Sequence, residues 1–121
     1  MTEPAHRLTT TVLDRGVLLV AVSGALDAAT HRPVVSELDA VFEARPPGVV
    51  LDLSAVEFMG SVGIAMLVNS HHRALRLRIP FAVVADSRAV LRPLQISQVD
   101  STLPLHASVD EAVAALRLVS T

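Results

Sequence analysis

The hydrophobic positions of this 121-residue chain form short apolar runs that alternate with stretches of helical spacing. Runs rich in Leu, Val and Ile predict five strands, which we place at residues 8–13, 17–23, 49–53, 81–85 and 103–105. Residues 14–16 between the first two runs are typical of a hairpin turn, in which Gly16 can adopt a positive φ. Only Asp52 interrupts the third run, which therefore predicts a strand covered on both faces.

Four stretches with helical spacing predict helices. Thr30 is a suitable N-cap for the first helix, and the second helix begins near Ser61. The predicted apolar stripe of this second helix consists of Ile64, Leu67, Val68, His71 and Leu75. Ser87 precedes a short third helix, and Ser108 with Glu111 forms a capping box at the start of the fourth.

The resulting order β-β-α-β-α-β-α-β-α predicts one α/β domain. We expect a mixed sheet of about five strands, parallel in part, with the helices packed against it. The domain is expected to span residues 8–121, and residues 1–7 are expected to form a flexible N-terminal tail.

Composition narrows the classes of function. The chain is 51% hydrophobic with three Phe and no Tyr or Trp, so its core must be aliphatic and a stacking platform for single-stranded nucleic acid is disfavoured. Ten basic and twelve acidic residues form no basic stripe, which argues against direct nucleic-acid binding. The absence of Cys removes thiolate chemistry. No apolar run approaches the ~20 residues of a membrane span, and the first residues lack a signal-peptide core, so we expect no membrane association and a cytoplasmic location.

The residues around Ser61 are the strongest candidates for function. Ser61 follows a turn at Met59 and Gly60 and opens a helix, whose free N–H groups and positive dipole end attract anions. A phosphate on Ser61 would add a charge of about −1.5 to −2, which the helix tolerates and an apolar or acidic partner surface does not. The simpler interpretation is that Ser61 is only an N-cap. Phe58 is expected in the core and Met59 partly exposed.

Other chemistry has little support in the sequence. Residues 60–63 lack the Gly-x-Ser-x-Gly spacing of a hydrolase nucleophile and the Lys of a P-loop. His71 and His72 are adjacent, so on a helix they face different directions and do not form a metal pair. We therefore expect no catalytic residue, no metal and no cofactor.

The segment of residues 50–64, Val-Leu-Asp-Leu-Ser-Ala-Val-Glu-Phe-Met-Gly-Ser-Val-Gly-Ile, resembles the signature of STAS domains. Within that family it is most similar to the bacterial anti-sigma factor antagonists. Residues 24–27 with Thr30 are similar to the family's Gly-Glu-Leu-Asp stretch and the helix that follows it. Residues 108–116 resemble the family's last helix, so the resemblance extends from about residue 8 to residue 118.

This resemblance implies a mechanism of partner switching. The unphosphorylated antagonist binds an anti-sigma factor, which frees a sigma factor. The anti-sigma factor is often a serine kinase, and it phosphorylates the residue that matches Ser61, which causes release until a phosphatase removes the phosphate. The resemblance implies a monomer or weak dimer whose partner-binding residues are Asp27, Thr30, Met59, Gly60, Ser61, Val62 and Gly63.

Three positions depart from the family pattern. Gly60 stands where the family usually has Asp, Val62 where it has Ser or Thr, and Ala25 where Glu is common. Two other binding functions therefore stay open, a phosphorylation-independent STAS scaffold and a sensor of nucleotides or small molecules. An esterase that uses Ser61 is the enzymatic alternative.

Overall fold

The computed structural model describes residues 6–119 and has the element order that the sequence predicts. The strands are β1 (His6–Val12), β2 (Leu18–Leu26), β3 (Val49–Met59), β4 (Phe81–Val84) and β5 (Leu105–His106). The helices are α1 (His31–Glu43), α2 (Ser61–Leu77), α3 (Arg88–Ile96) and α4 (Val109–Val119). The hairpin between β1 and β2 contains a short 3₁₀ turn in which Gly16 has a φ of 83°, as predicted.

The N-terminal boundary lies earlier than residue 8. In β1, His6 pairs with Gly24 and Arg7 with Ser23, so these two residues belong to the sheet and not to a tail. The rest of the predicted tail, residues 1–5, lies outside the described residues, as do residues 120–121 of the predicted domain.

The five strands form one mixed sheet in the order β1-β2-β3-β4-β5. β1 is antiparallel to β2, and the remaining neighbours are parallel. The predicted fold class is therefore confirmed. Helices α1, α2 and α3 contribute to a large core on one face of the sheet, whereas α4 covers a smaller cluster around Val50 and Val84 on the other. This arrangement explains why the central strands are apolar on both faces. The larger core is mostly aliphatic, as expected, but it also contains Phe42 and Phe81.

Strand β3 continues past residue 53, where the sequence predicted its end, to Met59. Its pairing with β2 contains two register shifts, which are β-bulges or similar irregularities. At the first shift, the side chain of Asp52 accepts a hydrogen bond from the N–H of Ser54 at 3.0 Å, the local backbone contact expected of this residue. The inward positions of the extension become residues 53, 56 and 59, a spacing of three that no regular strand shows.

The buried face of α2 differs from the predicted stripe. Its buried residues are Gly63, Met66, Leu67, Ser70 and Ala74, whereas Leu75 is 63% exposed. The prediction was wrong at Leu75 because it followed the large apolar side chains. The buried face combines the large Met66 and Leu67 with small residues, of which Gly63 lies directly on the ends of β2 and β3. Within residues 6–119, no helix is both long enough and apolar enough to span a bilayer.

Candidate functional site

Strands β2 and β3 run parallel and end side by side, so the two segments that follow them meet at one edge of the sheet. Leu26 pairs with Met59, and the N–H of Gly60 donates a hydrogen bond to the carbonyl of Leu26 at 2.9 Å. The turn that begins at Asp27 and the start of α2 at Ser61 are thereby neighbours, an arrangement that the family resemblance implies.

The turn between β2 and α1 is held by its own side chains. The Asp27 carboxylate accepts a hydrogen bond from the N–H of Ala29 at 2.9 Å. The Thr30 hydroxyl accepts one from the N–H of Asp27 at 3.0 Å and donates one to the carbonyl of Ala25 at 2.8 Å. Thr30 occupies the predicted N-cap position of α1 but forms no capping hydrogen bond, because its hydroxyl is used within the turn. These contacts fix Asp27 next to Gly60.

Ser61 is exposed and is the first helical residue of α2. The N-cap is Gly60, so the interpretation of Ser61 as an N-cap is wrong. Among residues 6–119, no partner forms a hydrogen bond with the Ser61 side chain. The first turn of α2 carries no acidic residue, so the helix itself provides no negative charge at its positive end, and Asp27 is the acidic neighbour across the turn. The hydroxyl is therefore free for modification, at a position that favours added negative charge.

The first turn of α2 lies directly on the ends of β2 and β3. A Cβ atom on Gly63 would lie 2.5 Å from the sulfur of Met59 and 2.9 Å from the carbonyl oxygen of Leu26. A side chain at position 63 therefore has no room, and this glycine serves close packing inside the protein. Its predicted role as a point of approach for a partner is not supported, because Gly63 is buried.

The predicted exposures of Phe58 and Met59 are reversed in the structure. Phe58 is 55% exposed, whereas Met59 is 4% exposed and belongs to the core. The physical reason is that β3 continues to Met59, which pairs with Leu26 at the end of the strand and packs in the core, so the neighbouring Phe58 points outward. The three-residue spacing of Leu53, Val56 and Met59 is the sequence signal that could have revealed this.

The predicted partner-binding residues thus fall into two groups. Thr30, Met59 and Gly63 are buried and support the edge of the sheet from inside. The accessible group, to which Phe58 is added, we call the Ser61 surface, and it consists of Asp27, Phe58, Gly60, Ser61 and Val62. Sequence reasoning missed Phe58 as a member of this surface.

A groove of about 370 Å³ between α1 and α2 adjoins the Ser61 surface. Val62 and His31 line it, and Nδ1 of His31 is buried with no hydrogen-bond partner among the described residues. Arg73 also lines the groove, where it pairs with Asp39 and stacks over the ring of Phe42 at 5.5 Å. Residues 6–119 contain no cluster of three or more His, Asp or Glu side chains placed to hold a metal ion.

Comparisons with known proteins agree with this architecture. The model of the STAS domain matches residues 9–112. The anti-sigma-F factor antagonist RsfB of Mycobacterium tuberculosis is 32% identical over 111 residues, which cover 91% of this chain and 90% of RsfB. The crystal structure of an anti-sigma factor antagonist from Mycobacterium paratuberculosis is 34% identical, with a TM-score of 0.84 over 97% of this chain and 99% of that one.

A more distant structure shows the same fold. Unphosphorylated SpoIIAA, an anti-sigma factor antagonist, has a TM-score of 0.73 at 16% identity, over 92% of this chain and 96% of its own. The chain therefore belongs to the STAS domain family and is similar over nearly its whole length to bacterial anti-sigma factor antagonists.

Proposed function

We propose that this chain is an anti-sigma factor antagonist that binds an anti-sigma factor through the Ser61 surface, and that phosphorylation of Ser61 causes release. The observation that carries the proposal is the exposed, unbonded hydroxyl of Ser61 at the first position of α2. Its neighbours at the edge of the sheet are those that the family resemblance implies. The named relatives of similar length support the class of partner.

The proposed contact is partly apolar. Phe58 exposes 55% of its surface next to Gly60, and Val62 is half-buried beside it. Exposed aromatic side chains of this kind are frequent anchors in protein–protein interfaces, because they bury a large area at a small cost in side-chain entropy. Phe58 is therefore proposed to insert into the partner next to Ser61.

A phosphate on Ser61 opposes this contact through its charge. The free protein tolerates about −1.5 to −2 charges there, because the N-terminus of α2 offers unpaired N–H groups and a positive dipole end. In the complex, the same charge would be buried against an apolar contact at a cost of several kcal/mol, by order of magnitude. Since ~1.4 kcal/mol corresponds to a tenfold change in affinity, one phosphate is sufficient for release.

The site favours a binding function over a hydrolytic one. A serine nucleophile needs a general base within hydrogen-bond reach, and no His, Asp or Glu among residues 6–119 bonds the Ser61 hydroxyl. We therefore propose that the chain has no catalytic activity and that any chemistry at Ser61 is performed by a partner kinase and a phosphatase. A partner of this kind places the chain in the bacterial cytoplasm.

A phosphorylation-independent antagonist is the second candidate, and Gly60 and Val62 favour it because both depart from the family pattern around the acceptor. Incubation of the chain with its anti-sigma factor and Mg-ATP, followed by mass spectrometry, separates the two. The proposal requires one phosphate on Ser61 and none on the Ser61→Ala variant. A kinase-competent anti-sigma factor that binds the chain but leaves Ser61 unmodified would favour the second candidate.

A further inference from the structure

A second groove, of about 480 Å³, lies where the C-terminal half of α2, the start of β4 and α4 meet. Most of its lining is apolar. Ile79 and Phe81 contribute nearly buried side chains, Leu75 contributes an exposed one, and Ala115 lines the groove from α4. Its volume is in the range of small-molecule sites in proteins. Because Ser61 and Arg78 lie at opposite ends of α2, this groove is separate from the Ser61 surface.

The polar side chains that line this groove are imidazole or guanidinium groups. They are His71, Arg78 and His106, and no acidic residue is among the lining residues. The Arg78 guanidinium forms no hydrogen bond or ion pair within residues 6–119. Burial and the neighbouring His72 lower the pKa of His71, so this imidazole is neutral near pH 7 and Arg78 provides the fixed positive charge.

We propose that this groove binds a small amphipathic anion, an aliphatic chain with a carboxylate head group held by Arg78. The apolar lining fits the aliphatic part, because burial of methylene groups is favourable in proportion to the area removed from water. A guanidinium is the side chain best suited to a carboxylate, which it can bind through two parallel hydrogen bonds. The absence of lining acids leaves nothing in the groove to repel an anion, whereas Arg78 would repel an amine.

Titration of the ¹⁵N-labelled full chain with octanoate, octanol and octylamine tests this proposal by NMR. Octanoate should cause saturable shifts in the amides of residues 74–79, 81–82 and 105–106, and should bind at least fivefold more tightly than octanol. Octylamine should bind more weakly than either. Octanoate that binds no more tightly than octanol, or shifts that fall elsewhere on the protein, would overturn the proposal.

Three variants test the charge of Arg78 and the shape of the groove separately. Arg78→Gln should weaken octanoate binding at least fivefold and leave octanol unchanged. Glutamine suits this position, because Arg78 has a φ of 57° and Gln98 already adopts a φ of 60° in this protein. Arg76→Gln is the matched control, since Arg76 lies on the same helix but lines the groove between α1 and α2. Ala115→Leu should fill the groove and block both ligands.

Unchanged octanoate affinity in a folded Arg78→Gln variant would contradict the role of the guanidinium. Thermal unfolding of each variant checks that it is folded. Ser61→Asp should bind octanoate like the wild-type chain, so a failure of the proposed switch at Ser61 is distinguishable from a failure of this site.

Discussion

A Cβ atom on Gly60 would lie 3.2 Å from the Cβ of Asp27, so these two residues pack as a close pair at the edge of the sheet. Gly60 has a φ of −87°, which any residue can adopt, and the constraint is therefore one of space and charge, not of backbone strain. At position 60, where the family pattern has Asp, this chain contributes no side chain next to Asp27.

Gly60→Asp should therefore be more destabilising in the wild-type chain than in an Asp27→Asn background. As an N-cap of α2, Asp is better than Gly by a few tenths of a kcal/mol. In the wild-type chain, repulsion from the Asp27 carboxylate, about 1 kcal/mol at contact distance in water, outweighs this gain and lowers the free energy of unfolding. In the Asp27→Asn background the repulsion is removed and only the close contact at Cβ remains, so the same substitution should lower it less. Urea unfolding of the four proteins measures the coupling, and a coupling energy near zero would contradict the proposed pairing.

Gly63→Ala should destabilise the protein by about 1–3 kcal/mol, the usual cost of overpacking a filled interior. The added methyl group would lie 2.9 Å from the Leu26 carbonyl oxygen, a backbone atom that cannot move without disturbing β2. Asn69→Ala is the control, because Asn69 is exposed on the same helix. Its urea midpoint should stay within the range typical of surface substitutions. Equal midpoints for both variants would show that α2 does not rest directly on the sheet edge.

Phe58→Ala should weaken binding of the anti-sigma factor at least tenfold and change the stability of the free chain little, because the ring is 55% exposed. Met59→Ala should instead mainly lower the stability of the free chain, by about 2–5 kcal/mol for a buried methionine, and should change partner binding less. Ile96→Ala is the matched control for Phe58, since Ile96 is also large, apolar and exposed but lies on α3. A Phe58→Ala chain that binds like Ile96→Ala would remove Phe58 from the interface.

His71 should make the protein less stable as the pH falls below about 6.5. Burial and the neighbouring His72 lower its folded pKa below the ordinary value of 6.5, so the unfolded chain binds more protons in this window. Stability therefore rises with pH and is lost as the pH decreases through 6.5 toward the folded pKa. His71→Gln should flatten the dependence of the unfolding free energy on pH between 7 and 5. An unchanged slope would contradict this assignment.

The order of elements was predictable because it follows from periodic apolar patterns and local capping signals. The capping box is an example, since the N–H of Glu111 donates to the Ser108 hydroxyl at 3.1 Å. The second hydrogen bond of the capping box differs from the prediction. The Glu111 carboxylate accepts from the N–H of Ala107 and not from that of Ser108. The start of α2 at Ser61 was also predicted correctly.

Two features of the site were not predictable from local pattern. The extension of β3 to Met59 arises from its pairing with β2, a contact between distant parts of the chain, and this pairing places Met59 inward and Phe58 outward. The face that α2 buries depends on how closely the helix approaches the sheet. At the N-terminal end of the helix that distance is set by Gly63, which a search for large apolar residues overlooks.

The central claim is that charge on Ser61 decides whether the anti-sigma factor stays bound. Isothermal titration of the anti-sigma factor that co-purifies with the chain, against the unphosphorylated chain, the Ser61-phosphorylated chain and Ser61→Ala, measures this directly. We expect the phosphorylated chain to bind at least tenfold more weakly, whereas Ser61→Ala should bind like the unphosphorylated wild type. Equal affinities for the phosphorylated and unphosphorylated chains would contradict it.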